Sequence, residues 1–162
     1  KVNKKIMRSL KNIVGSDLDL FFKRQGFLKN LRNILELNKK QKFYFVLIQP
    51  KVLCSTKEIY SKVKKFSKKE QFNKKIINSK NNFLNYLVKD RNDLQLIVEK
   101  KHLQVRKLIK EIQQIKGCYF SRLTGSGSVC YGVFKNKDEA NKALTQVKIK
   151  YPKYWSSFAK TI

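Results

Sequence analysis

Residues 43–50, FYFVLIQP, constrain the fold more than any other stretch of this chain. Six apolar residues run without interruption and Pro50 closes the segment, a pattern that predicts a strand buried on both faces. In CSTKEIYSKVKKF (54–66), Ser55 and Glu58 stand three apart, as a capping box requires, and Cys54 and Ile59 are spaced for a hydrophobic staple. Ile59, Val63 and Phe66 supply the apolar face of the helix that follows. Residues 67–80 are rich in Lys, Asn and Ser and read as exposed. NNFLNYLV (81–88) and DLQLIV (93–98) read as short helices. VRKLIKEIQQI (105–115) puts Val105, Leu108, Ile109, Ile112 and Ile115 on one face, with Gly117 as the cap beyond its end.

Strands at 118–124 and 128–134 come next, then a second capped helix. Its cap is Asn136 with Glu139, and its apolar face is Ala140, Ala143, Leu144 and Val147. YWSSFAKTI (154–162) closes the chain as an edge strand. From residue 43 onward the order is β-α-β-β-α-β, the split βαβ or ferredoxin-like arrangement of the α+β class. It predicts an antiparallel sheet with helices on one face.

Residues 1–42 stand outside that pattern and read as the end of an incomplete N-terminal domain plus a linker, with 43–162 as the C-terminal domain. Ile6, Leu10, Ile13 and Val14 recur at helical spacing, and Gly15 ends the run. DLDLFF (17–22) reads as a short strand, GFLKNLRNILEL (26–37) fits strand or helix equally, and KKQK (39–42) is a polar break at the domain boundary. The chain starts at Lys1 and its single methionine is Met7, so a longer translation product is expected. The basic start KVNKKIMRSLKN has the look of a transit peptide, but an amphipathic helix cut from its upstream neighbour explains it as well and is preferred.

The 162 residues suit one domain, or one plus a piece of another, and 41% hydrophobic content is enough for a core. No apolar run approaches the length of a membrane helix, and there is no signal-peptide pattern. Cys54, Cys118 and Cys130 have no CxxC spacing and read as small buried hydrophobes in a reducing cytoplasm. The formal charge of +27 suggests a polyanion partner, yet thirty-two of the thirty-eight basic residues are lysines spread along the whole chain. Dedicated nucleic-acid readers favour arginine, whose planar fork matches phosphates and base edges. Biased codon usage accounts for the excess without a ligand.

Two stretches carry possible chemistry. Thr124, Gly125, Ser126, Gly127 and Ser128 place five small residues between two strands, more than a hairpin turn needs. Such a loop is either a flexible turn or a nest whose backbone N–H groups donate to a phosphate. Asp17 follows Gly-Ser and precedes an apolar strand, so it either caps a turn or projects into a cleft, where a carboxylate takes a proton from an alcohol. Asp19 reads as outward-facing. DRND (90–93) has the composition of an acidic metal cluster, but Asn92 or Asp93 as a helix N-cap is the preferred reading. His102 is the only histidine, lies at a break between helices and reads as surface.

Four blocks taken together resemble the GHMP kinase superfamily: GSDLDLFF at 15–22, VLIQPKVLCSTKEIY at 46–60, NDLQ at 92–95 and LTGSGSVCYGVF at 123–134. The narrower likeness is to members acting on a cytidylylated methylerythritol in non-mevalonate isoprenoid synthesis. The resemblance implies phosphoryl transfer from ATP, accompanied by Mg2+ as part of the substrate, to the 2-hydroxyl of that small molecule. It also implies a cytoplasmic enzyme with no specific nucleic acid, membrane or structural metal. Asp17 then matches the catalytic aspartate and Thr56 a substrate-contacting position. Gly125, Ser126, Gly127 and Ser128 match the motif that packs against the phosphate loop.

The chain departs from the family pattern at Asp19, where Pro is usual, and at Leu31, Arg32 and Asn33, where a glycine-rich turn is usual. The GLGGGSS-type phosphate loop and the lysine that partners the aspartate would lie upstream of Lys1. The chain by itself is therefore expected to bind ATP feebly and not to turn over. Two alternatives stay open: a degenerate, non-catalytic kinase half, and a basic ferredoxin-like RNA-binding module. For the latter, KGCYFSRL (116–123) starts like an RNP1 motif but has Cys118 where an aromatic belongs.

Overall fold

Helical spacing near the N-terminus produces α1 (Lys4–Val14), opened by Asn3, whose Oδ1 accepts from Lys5 N at 2.9 Å. The computed structural model describes residues 3–14, 18, 25–30, 33–37, 41–67 and 79–161. It divides into two compact units, residues 1–42 with 71–83 and 161–162, and residues 43–70 with 84–160. In the first unit the ambiguous stretch 26–37 is a hairpin of β1 (Gly26–Asn30) and β2 (Asn33–Glu36). The strands pair antiparallel, with Phe27 opposite Leu35 and Leu28 opposite Ile34, so this stretch is strand rather than helix. Gln25 and Gln41 exchange two 2.9 Å hydrogen bonds between side chain and backbone in the same unit. Gly15, Asp17, Asp19, the rest of the expected strand 17–22 apart from Leu18, Leu31 and Arg32, and residues 68–78 of the expected exposed stretch lie outside the described residues.

The second unit carries β3 (Tyr44–Gln49), α2 (Thr56–Ser61), the part of α3 (Lys80–Lys89) from Leu84 onward, α4 (Gln95–Lys101) and α5 (Leu103–Gln114). It continues with β4 (Cys118–Leu123), β5 (Cys130–Phe134), α6 (Lys137–Lys150) and β6 (Trp155–Lys160). The strands lie in the order β4-β5-β3-β6, and each neighbouring pair is antiparallel. This is the ferredoxin-like order, with β6 on the edge as expected.

Cross-strand register sorts the core. Val46 and Ile48 stand opposite Gly132 and Cys130, and Leu123 opposite Cys130, so these residues share one face. Their cluster includes Ile59 of α2, Val98 of α4, Val105, Leu108, Ile109 and Ile112 of α5, and Ala140, Ala143 and Val147 of α6. Gly132 lets α5 approach, since a Cβ there would stand 2.5 Å from Ile112 Cγ2. The expectation that the 43–50 strand is buried on both faces needs correction. Its other face, with Phe45 and Leu47, is only half-buried. It is apolar because aromatic rings line it: Phe45 and Phe120 each lie 6.2 Å from the Tyr131 ring.

Three local expectations also change. The helix after Pro50 stops at Ser61, and Phe66 is 58% exposed rather than on its apolar face. Its capping box is only half made. Ser55 Oγ accepts from Glu58 N at 3.3 Å, but the Glu58 carboxylate goes to Lys62 and Lys101 instead. His102 is half-buried rather than fully at the surface. The backbone breaks there between α4 and α5 (φ −126°, ψ 88°), and the buried Nε2 has no hydrogen-bond partner among the described residues. Asn136, by contrast, caps α6 as expected, accepting from Glu139 N at 2.9 Å, and Gly117 ends the α5 region at φ +83°.

Candidate functional site

The small-residue loop joins β4 to β5. Its neck is closed by Thr124 N donating to Val129 O (2.9 Å), and its turn by Gly127 N donating to Thr124 O (3.0 Å). Gly125 (φ +54°) and Gly127 (φ +91°) both lie in the left-handed region, where a side chain is costly. The two differ in surroundings. A Cβ on Gly125 would meet nothing within 4 Å, whereas one on Gly127 would sit 3.2 Å from Cys54 Sγ and from Leu123 Cδ1. The loop thus has an open outer corner and a packed inner one.

Its hydroxyls divide the same way. Ser128 is buried and turned inward, its Oγ 3.5 Å from Pro50 O. Ser126 is half-buried and shares a 2.9 Å hydrogen bond with Thr56 Oγ1, across 70 positions of sequence. Thr56 is the first residue of α2 and is exposed, so its hydroxyl stands at the surface beside the loop. The structure therefore brings together Thr56, Gly125, Ser126, Gly127 and Ser128, while Asp17 lies outside the described residues.

Two further residues hold the loop from below. Asn92 Nδ2 donates to Leu123 O (3.0 Å) and to Gly125 O (2.7 Å), while its Oδ1 accepts from Leu94 N (3.0 Å). Gln95 Oε1 accepts from Leu123 N at 3.0 Å. The N-cap expectation for this segment is corrected: Leu94 occupies the cap position of α4 and makes no side-chain cap bond. Asp93 instead accepts from Ser67 N (2.8 Å) and from the Ser67 hydroxyl, which hold its carboxyl below the usual range. The NDLQ block was a visible signal for Asn92 and Gln95, but nothing local announces where their amides go.

Beside the loop opens a cleft of about 420 Å³, with Tyr60, Arg91, Asn92, Arg122, Thr124 and Gly125 among its lining residues. Arg122 donates to the carbonyls of Leu87 (2.7 Å) and Val88 (3.1 Å) and lies 4.6 Å over the Phe120 ring. Phe120 is buried, so the RNP1-like segment offers no open ring there for a base to stack on. Of the cysteines, Cys130 is buried and Cys54 and Cys118 half-buried, all three free. Burial raises each thiol, Cys118 to about 11 and Cys130 to about 12, which keeps them protonated at neutral pH. Among the described residues no group of three or more His, Cys, Asp or Glu could hold a metal ion, and no helix is long and apolar enough to cross a membrane.

The sheet order and the glycine-bearing β4–β5 loop define an α+β domain of ferredoxin-like type. The family model described as GHMP kinases C terminal matches residues 73–153, and the chain belongs to that family. It is similar to the 4-diphosphocytidyl-2-C-methyl-D-erythritol kinase of Pelagibacter ubique (strain HTCC1062), at 32% identity over all of this chain and 57% of that protein. The protein of the same name from Prochlorococcus marinus (strain AS9601) is 30% identical over 90% of this chain and 51% of its own length. A crystal structure of 4-(cytidine 5'-diphospho)-2C-methyl-D-erythritol kinase matches at a TM-score of 0.69 and 15% identity, over 98% of this chain and 57% of that one, a likeness of fold. The chain spans about half the length of the curated relatives it matches.

Proposed function

We propose that this chain serves an ATP-dependent kinase that phosphorylates the 2-hydroxyl of 4-diphosphocytidyl-2-C-methyl-D-erythritol, in the cytoplasm. Residues 43–162 are its C-terminal domain and residues 1–42 the end of its N-terminal domain and the linker. The observation that carries this reading is the 32% identity to the Pelagibacter ubique kinase, which runs the whole length of this chain.

The reaction asks little covalent chemistry of the protein and much positioning. The substrate hydroxyl oxygen attacks the γ-phosphorus of ATP, which is bound with Mg2+. The bond from that phosphorus to the β–γ bridging oxygen breaks, and ADP leaves. The hydroxyl proton passes to the carboxylate of Asp17. Thr56 contacts the substrate through a hydroxyl that Ser126 holds in place at 2.9 Å. Gly125 offers an open corner free of side chain, against which the phosphate loop would pack, and Gly127 and Ser128 anchor that corner to Cys54 and Pro50.

The test is Asp17→Asn in the full-length kinase that carries the upstream phosphate loop, with phosphoryl transfer measured from γ-labelled ATP and ATP binding measured separately by calorimetry. The expected result is a loss of transfer by roughly 100-fold or more with ATP binding retained, the usual range for removing a general base. Transfer at the wild-type rate would overturn the role of Asp17. Absence of transfer to this substrate by the wild-type full-length kinase would overturn the substrate assignment.

A further inference from the structure

Both backbone groups of Leu123 are held by side chains from one short segment. Leu123 is the last residue of β4, an edge strand, and its N–H and C=O turn to Gln95 Oε1 and Asn92 Nδ2 rather than to a neighbouring strand. Asn92 reaches further, with a second donor bond to Gly125 O at 2.7 Å. Its orientation is unambiguous, because Leu94 N is a donor and must face the amide oxygen, leaving both amide hydrogens for the two carbonyls. The two bonds bracket Thr124 and fix the start of a turn whose glycines would otherwise have wide conformational freedom. One residue beyond that fixed point, Ser126 meets Thr56.

We propose that Asn92 is a positioning residue for phosphoryl transfer, setting the 124–127 turn so that Ser126 engages Thr56. The proposal rests on the kinase reading above. Asn92 touches neither reacting group itself and acts through the loop. Without its amide, two carbonyls lose their donors and the turn moves among several placements, only one of which aligns Thr56 for transfer.

The test compares Asn92→Asp with Tyr151→Phe in the full-length kinase that carries the upstream phosphate loop. Asn92→Asp keeps the size and the oxygen that Leu94 N needs. It lacks both donors and sets a carboxylate oxygen against two carbonyls. Tyr151→Phe removes a hydroxyl just past the end of α6 that donates to Glu111 of α5, away from the loop, and controls for general loss of stability. Steady-state kinetics and amide hydrogen exchange at residues 125–128 are read for each variant.

The expected result for Asn92→Asp is a kcat lower by on the order of 100-fold, a KM for the cytidylylated substrate close to wild type, and faster exchange in the loop. Tyr151→Phe should keep the wild-type kcat and loop exchange. The proposal is overturned if Asn92→Asp leaves loop exchange and kcat unchanged, or if Tyr151→Phe lowers kcat as far. Should the wild-type full-length kinase transfer no phosphate, the kinase reading falls, while loop exchange in Asn92→Asp still decides whether Asn92 sets the turn.

Discussion

Gly125 and Gly127 look equivalent in the sequence and are not equivalent in space. Both have positive φ, so an alanine at either costs about 1–2 kcal/mol in backbone conformation. At Gly127 the new Cβ also presses on Cys54 Sγ and Leu123 Cδ1 at 3.2 Å, while at Gly125 it points into open space. Gly127→Ala should therefore lower the urea midpoint more than Gly125→Ala. Equal losses would show that backbone strain alone decides both. The candidate site was legible at this scale where residue type is locally unusual, as in the run of small residues 124–128 and in Thr56 behind its capping serine. The cap reading of Asn92 caught only its local side, the bond its Oδ1 accepts from Leu94 N, and missed the partners of its Nδ2, Leu123 and Gly125, which lie 31 and 33 positions away. Local spacing carries no information about a bond of that reach.

Between elements, Glu58 ties α2 to α4. Hydrogen bonds from Lys101 first, and then from Lys62, hold its carboxyl down at about 2, against an ordinary value of 4.5. Because the folded value is the lower one, the tie contributes fully above about pH 4.5 and is lost as the pH falls toward 2. Glu58→Gln should thus lower the unfolding midpoint near neutral pH and match the wild type once the pH approaches 2. The pair of lysines is solvent-exposed, so added salt should shrink the neutral-pH difference as well. A difference that persists in strong acid would assign the effect to packing instead. The same interaction explains why the expected capping box is half formed: the Glu58 carboxylate has two ammonium partners, and a charged partner outcompetes a backbone N–H.

For the molecule as a whole, a formal charge of +27 remains when the fold and the family are accounted for. Lysines spread along the chain give a diffuse field rather than a shaped site, and the buried Phe120 removes one stacking surface that a ferredoxin-like RNA binder would use. Binding to polynucleotides should therefore be weak, indifferent to base sequence, and lost steeply between low and moderate salt. Filter binding against two unrelated single-stranded sequences over a salt series measures this. A sequence preference that survives high salt would contradict it and restore the RNA-binding alternative.

The sequence by itself determined the succession of elements from residue 43 onward, the caps at Ser55 and Asn136, and the glycine-bearing loop. These depend on side-chain periodicity and on contacts within a few residues, which a linear chain displays directly. It also displayed enough of four separated blocks to point to the GHMP kinases. Only the tertiary structure decided that 26–37 is a hairpin, that β3 is deeply buried on one face alone, and that Ser126 meets Thr56. It alone showed Asn92 and Gln95 completing the open edge of β4. Those outcomes follow from which strands become neighbours and which backbone groups are left unpaired at a sheet edge, and both are settled only when distant segments pack together.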